Sequence, residues 1–450
     1  MIATKPFMSV GGVITKRISC IFIYILVFVY LACATTQGDV AGSNPPKPLD
    51  TVIQAVYAEN LGPGSHKGNT YGTIQAAIDA AEDGDTIGVC KKPGGHFETL
   101  RFDAQTTFSK GITLQGMNSD FTAELPDNDM NDWPVVDGEK KHRCVFAGNE
   151  ENPIGPVTIR RFILQNGLDL PDRSGGGGVA AIDCNFTLQH CYVRDCATAA
   201  GAGGGGLKFV VWHGTSMSVS IEDCVVVDCS SSGPGGGMFV FPLKEHAPLN
   251  LTIKRTLFYN CEYTGDPEVP GEPTLKGVEG GGCASLNTYG KVVVEDTMIL
   301  NCRSTSTTGG VQIPMHETSS YAFRNVIMAD CECDVSRPDR GTAISAWPMN
   351  AVGVCTVSLV TCLITQNRSN DESLERVYAV CLSADGGPDC DFSLKDCIID
   401  NNPHGQTGLS VDLCILGPHR ESATASLTKC VVGTLQDPSG IVKRTNSGSD

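Results

Sequence analysis

Aromatic residues and positive charge are the scarcest features of this 450-residue sequence. Phe, Trp and Tyr together make up 6% of it, and only 3 residues are Trp. Lys and Arg number 33 against 50 Asp and Glu, a net charge of −17. A surface that acidic repels phosphate backbones, which excludes nucleic acid as a partner and leaves cations, basic proteins and neutral glycans open. Helix-length segments with a 3.6-residue period are also scarce, which argues against ankyrin or tetratricopeptide arrays. The 51 Gly are clustered without a collagen period. The 21 Cys are too few for a small disulfide scaffold. At 41%, the hydrophobic content is too high for wholesale disorder.

The longest apolar run lies at the start. Lys16 and Arg17 precede Ile18 to Cys33, a stretch of 16 residues. It falls short of the roughly 20 that a spanning helix needs, and its basic flank reads as a secretory signal. An uncleaved anchor is the alternative. Leu31-Ala32-Cys33 resembles the end of a bacterial lipoprotein signal, which implies lipidation at Cys33, although Tyr30 stands where such signals prefer Leu. The expected partition is a signal over 1–33, a polar linker over 34–50, one repetitive domain over 51–440 and a polar tail over 441–450. The expected location is secreted or on the cell envelope, touching membrane only through the N-terminal segment.

What the chain has in abundance is self-similarity. Ile221-Glu222-Asp223-Cys224 to Asp228-Cys229 matches Val294-Glu295-Asp296-Thr297 to Asn301-Cys302. The central position recurs at Phe162, Cys191, Cys224, Thr256, Thr297, Val326, Cys362, Cys397 and Cys430, in steps of 29 to 41 residues. Four places on lie Asn166, Asp195, Asp228, Asn260, Asn301, Asp330, Gln366, Asn401 and Thr434. Glycine runs interleave with this frame, preceding Val179, Leu207, Met238, Cys283 and Val311.

Short β-branched segments bounded by glycine favour strands over helices. The pattern predicts a coil of parallel strands, in which like residues stack on like and buried amides and hydroxyls bond to each other and to turn backbone. Thr73 to Ala81 predicts a short amphipathic helix capping the first turn, since an open solenoid end exposes a raw edge. The fold expectation is all-β: a right-handed parallel β-helix solenoid of 11 to 12 rungs, about 4.8 Å each, with that N-terminal helix.

Thr73 to Val89, Ile112-Thr113-Leu114-Gln115-Gly116, Val136-Asp137-Gly138 and Phe162 to Gly167 resemble right-handed parallel β-helix proteins of the pectin-lyase-like superfamily. The alternation of Gly-rich and Asp/Asn-Cys segments is similar to the repeats of polymorphic outer-membrane proteins. The resemblance implies the fold over residues 51 to 435; it does not imply one function, because this scaffold hosts lyases, hydrolases, adhesins and spacers.

The polygalacturonase-like signatures of the superfamily are absent from the sequence. Arg337-Pro338-Asp339-Arg340 has the wrong spacing for the pectate-lyase element and reads as a turn. Strand alternation predicts outward rows Ala180/Ile182, Lys208/Val210, Phe239/Phe241, Ala284/Leu286, Gln312/Pro314 and Ala343/Ser345, which hold no paired carboxylates for glycoside hydrolysis. They hold apolar and aromatic surface instead. With Trp212, His213, His316 and Trp347, the pair Phe239 and Phe241 forms the candidate binding set, suited to stacking on sugar rings. Loops covering this surface are the structural alternative.

The column Cys196, Cys229, Cys261, Cys302 and Cys331 reads as buried thiols, since five in register cannot all pair. Cys331 and Cys333 lack the second pair of a zinc site. Asp127 to Asp132 offers oxygen ligands but lacks the Gly and Glu of an EF-hand loop. No cofactor or metal is expected, with calcium left open but unsupported. Sequons stand at Asn185, Asn250 and Asn367.

The leading expectation is an exported, non-catalytic β-helix acting as a surface or extracellular binding or adhesion module for a polysaccharide, cell-surface glycan or protein. The alternatives are a divergent polysaccharide lyase or glycoside hydrolase with loop-borne residues, and a structural envelope spacer.

Overall fold

The computed structural model describes residues 56–445, leaving out 63–64, 104–110, 128, 149–153, 170–174, 199–201, 214–215, 266–279, 307, 335–339, 351–353, 371–375, 385–388, 401, 403–408, 417–423 and 438–441. The expected signal, the lipidation site Cys33, the linker over 34–50 and the end of the tail lie outside the described residues.

The described chain is an all-β parallel solenoid whose strands fall into four sheets. One turn illustrates the path. Met238–Pro242 belongs to sheet I, Leu249–Lys254 to sheet II, Leu257–Tyr259 to sheet III and Glu262–Tyr263 to sheet IV, before Ala284–Leu286 returns to sheet I. Sheets I, II, III and IV hold 11, 14, 10 and 7 strands. All four are present in about seven turns; sheet I, with one strand per rung, runs to 11 strands, in line with the expected 11 to 12 rungs, and the rungs outside the complete turns have fewer strands. Neighbours in register bury like residues on like. Leu207, Met238 and Ala284 stack in sheet I, and Val219, Leu251 and Val292 in sheet II, all buried. Each large aliphatic side chain removed from water in this way stabilises the fold by about 1.5–3 kcal/mol.

The two corners explain the repeat. Between sheets II and III one residue per turn adopts the left-handed conformation: Arg161, His190, Asp223, Arg255, Asp296, Asn325, Thr361, Asp396 and Lys429, with φ between 47 and 59°. Between sheets III and IV the same role falls to Asn166, Asp195, Asp228, Asn260, Asn301, Asp330 and Gln366, with φ between 52 and 58°. Asn and Asp tolerate that region best among residues with a side chain, which accounts for their column. These side chains are mostly exposed, so the expected buried amide stack is corrected for this column. They still bond along the coil: Asn260 Nδ2 donates to Asp228 Oδ1 at 2.6 Å, and Asn301 Nδ2 to Asn260 Oδ1 at 3.2 Å.

The buried polar atoms belong to the residue after each corner. It donates to the carbonyl two residues earlier: Cys224 Sγ to Glu222 O at 3.1 Å, Thr256 Oγ1 to Lys254 O at 2.9 Å, Cys229 Sγ to Val227 O at 3.3 Å and Asn367 Nδ2 to Thr365 O at 2.9 Å. Cys, Thr and Asn interchange because each supplies one donor to the same carbonyl. Glycine is required where sheet IV meets sheet I. Gly235 has φ +76° and a Cβ there would lie 1.9 Å from Met238 O, while one at Gly205 would lie 2.1 Å from Ser230 O.

The helix forms as expected over Ile74–Ala80. Thr73 caps it by accepting from Ala76 N at 3.1 Å, and Ile74, Ala77 and Ile78 are buried against the strands Ala58–Gly62, Thr86–Val89 and Leu100–Phe102. The edge of sheet II is closed by something unexpected, an antiparallel hairpin of Ala58–Gly62 and Thr70–Tyr71.

Candidate functional site

Sheet I carries the candidate residues. Its neighbouring strands Leu207–Val211, Met238–Pro242, Ala284–Leu286, Val311–His316 and Gly341–Asn350 lie side by side. Phe239 and Phe241 project outward and stack on each other, with ring centres 5.6 Å apart and planes 19° from parallel. The Lys208 ammonium lies 5.6 Å from the Phe239 ring. Trp212 and His213 follow the preceding strand, and their backbone N–H groups donate to the two carboxylate oxygens of Asp183 at 2.9 and 2.7 Å. Their rings meet edge to face at 6.1 Å. Trp347 is in register with Pro314, and the Arg340 guanidinium sits 4.0 Å from its ring.

His316 ends its strand and is buried. Its Nε2 is 2.5 Å from Asn287 Oδ1, and its ring lies 4.1 Å from that of Tyr289. Tyr289 also meets His246 at 5.3 Å, and His246 Nδ1 pairs with Glu317 Oε1 at 2.5 Å. Burial holds the His316 imidazole below its ordinary pKa; Glu317 opposes this and His246 adds to it. The six expected residues thus share one sheet and its ends but form separate contacts, the phenylalanine pair, the Trp212–His213 pair, the His316 cluster and the Trp347–Arg340 pair.

One outward row is corrected. Ala284 pairs with Met238 and Val311, so Ala284 and Leu286 point inward while Ser285 takes the outward place. Cys283 stands in the glycine column, beside Gly237 and Gly310, and a reading that started the strand there slipped by one residue. Ala343 likewise lines up with Gly310, through the hydrogen bond from Gly310 N to Thr342 O, and is buried in the core.

The corrected register assembles a polar row, Ser285, Gln312 and Ser345, each the Cα partner of the next. All three are buried, Gln312 with 0% exposure. Among the described residues, neither Gln312 Nε2 nor Oε1 has a hydrogen-bond partner, and Ser345 Oγ has none. Such orphans cost about 1–3 kcal/mol each; Ser285 and Gln312 lie between the Phe239/Phe241 strand and the Trp347 strand, which itself carries Ser345. The outward residues of this row are nearly closed off from solvent, Phe239 at 8% exposure. Sequence reading placed Gln312 and Ser345 outward but not their lack of partners, and it missed Asn287, Tyr289 and His246.

The remaining candidates resolve individually. The Asp127 carboxylate bonds Arg161 Nε at 2.7 Å and faces His190 at 3.7 Å, while Asp129 accepts from Asn131 N at 3.0 Å. Among the described residues no three His, Cys, Asp or Glu side chains converge as a metal-binding group. Arg337, Pro338 and Asp339 lie outside the described residues. Asn185 and Asn250 are exposed, whereas Asn367 is 1% exposed with its amide engaged, so the folded chain offers no glycan acceptor there. Nineteen cysteines are described, eighteen of them buried. No family model, curated protein or solved structure matches the chain.

Proposed function

We propose that this chain is an exported, non-catalytic β-helix of the pectin-lyase-like kind that binds a neutral glycan on the outer face of sheet I. The observation that carries this reading is the Gln312 amide, buried and without partners among the described residues, in register with Ser345 and between aromatic strands. A sugar ring presents hydroxyls that both donate and accept, together with an apolar face that stacks on aromatic rings. Gln312 and Ser345 offer the first kind of contact, and Phe239, Phe241 and Trp347 the second. Because the row is closed to solvent, binding is coupled to an opening of that face.

Export is supported by Lys16-Arg17 before the apolar run to Cys33, and the reading is of a secreted or envelope-surface module, with lipidation at Cys33 as one means of attachment. A panel of neutral and uronic-acid polysaccharides, scored for binding and for products, tests the reading. Saturable binding without turnover that weakens at least tenfold in Gln312→Leu is the expected result. New reducing ends or unsaturated products would overturn it in favour of a hydrolase or lyase. Absence of binding to every glycan would leave the protein-ligand or spacer alternatives standing in its place.

A further inference from the structure

The ladder thiols of this core donate to main-chain carbonyls. Cys191, Cys224 and Cys397 each reach the carbonyl two residues back, at 3.2, 3.1 and 3.3 Å. Ladder thiols also meet one another, as Cys224 meets Cys191 and Cys397 meets Cys362, but Cys355 has its sulfur 2.9 Å from Cys390 Sγ and 3.7 Å from Met315 Sδ. The two cysteines are Cα partners on the parallel strands Val354–Val360 and Asp389–Lys395, and both are buried. Neighbouring strands run about 4.8 Å apart, inside the roughly 4.4–6.8 Å Cα separation that a disulfide spans. The residues just before them, Val354 and Asp389, are exposed, Val354 at 53%. The sulfur pair therefore sits one residue in from the exposed first residues of two strands, and a local opening there admits a reagent.

We infer that Cys355 and Cys390 are a disulfide-forming pair, oxidised by a small-molecule or protein disulfide into a covalent link between adjacent turns. The Cys355 thiol loses a proton, and its thiolate attacks one sulfur of the donor disulfide, forming a mixed disulfide and expelling one thiolate. Cys390 then attacks the Cys355 sulfur and expels the second. The two cysteine protons end on the two released thiols, so the donor gains the two electrons that the protein pair loses. Contact with Cys390 holds the Cys355 thiol below its ordinary pKa and pushes Cys390 up, which makes Cys355 the first to ionise. The bond closes a loop one full turn of the coil long, and it does so whether or not the face of sheet I binds glycan.

The test is refolding of the whole chain in excess glutathione disulfide, followed by alkylation without reduction and peptide mapping. The expected product links the Cys355 peptide to the Cys390 peptide, lighter by two hydrogens, with a melting temperature about 5 °C above that of the reduced protein. Cys224→Ser keeps the link. Cys355→Ser and Cys390→Ala each abolish it and remove the difference in melting temperature between oxidising and reducing buffer. Full alkylation of both cysteines in the refolded wild-type protein, or a link from either to a different cysteine, overturns the inference without needing any variant to fold.

Discussion

The inner corners and the outer face of sheet I treat buried polar groups in opposite ways. At the corner after sheet III, Asn367 Nδ2 donates to Met328 O, Thr365 O and Asn402 Oδ1 at 3.1, 2.9 and 3.0 Å, while Asn367 Oδ1 accepts from Cys331 N at 3.0 Å. On sheet I, Gln312 carries the same amide chemistry, equally buried, with neither atom bonded among the described residues. The first amide closes turn backbone that would otherwise be orphaned, so it belongs to folding. The second contributes nothing to the fold and destabilises it, which is the pattern of a group held for a ligand.

Leucine substitution separates the two with opposite signs. Asn367→Leu strands the Cys331 N–H and removes the amide's bonds to the Met328 and Thr365 carbonyls, and the expected loss is about 3 kcal/mol of stability, read from denaturant midpoints at constant m. Gln312→Leu removes two orphans at nearly constant volume, and the expected outcome is a gain of about 1 kcal/mol together with loss of glycan binding. If both variants lost stability by similar amounts, the distinction between folding amide and ligand amide would fail.

The corner side of this contrast was legible in the sequence, and the face side largely was not. Columns such as Cys224, Thr256 and Thr297 or Asp228, Asn260 and Asn301 recur because every turn meets the same left-handed corner, and the carbonyl two residues before each buried donor can accept a second hydrogen bond. One backbone problem repeated many times leaves a statistical trace in one chain. The face is built from single events. Cys283 in the glycine column hid the inward turn of Ala284, and the hairpin of Ala58–Gly62 and Thr70–Tyr71 occurs once, with no copy to align it to. Gln312 reads as an ordinary outward polar residue, since the lack of a partner is a property of the packed neighbourhood and not of the residue type.

The His316 cluster sharpens the comparison at the end of the same face, with a smaller effect. Burial lowers the His316 pKa, so the folded state disfavours the proton that the unfolded chain takes up near its ordinary value of 6.5. The unfolded state then binds more protons, so this residue's contribution is fully present above that pH and is lost as pH falls through and below it. The expected result is a melting temperature that declines from pH 7.5 towards pH 5.5 more steeply in wild type than in His316→Asn, compared in parallel about one unit either side of the ordinary histidine range. Equal slopes would detach His316 from the acid response of the site.

The finest discrimination comes from exchanging residues within a corner column. Thr297 Oγ1 donates to Glu295 O at 2.8 Å, the bond that Cys224 Sγ makes to Glu222 O two places back in the column. If the column is defined by that single donor, Thr297→Cys changes stability by no more than about 0.5 kcal/mol, whereas Thr297→Ala, which keeps the size small but removes the donor, loses about 1.5 kcal/mol. The outer face predicts the reverse ranking: Ser345→Ala removes a hydroxyl that bonds nothing and leaves stability unchanged or slightly raised. A Thr297→Cys loss as large as that of Thr297→Ala would mean that the columns record shape, with the carbonyl bond a by-product. The opposition between satisfied corners and unsatisfied face would then rest on Gln312 and Ser345 alone.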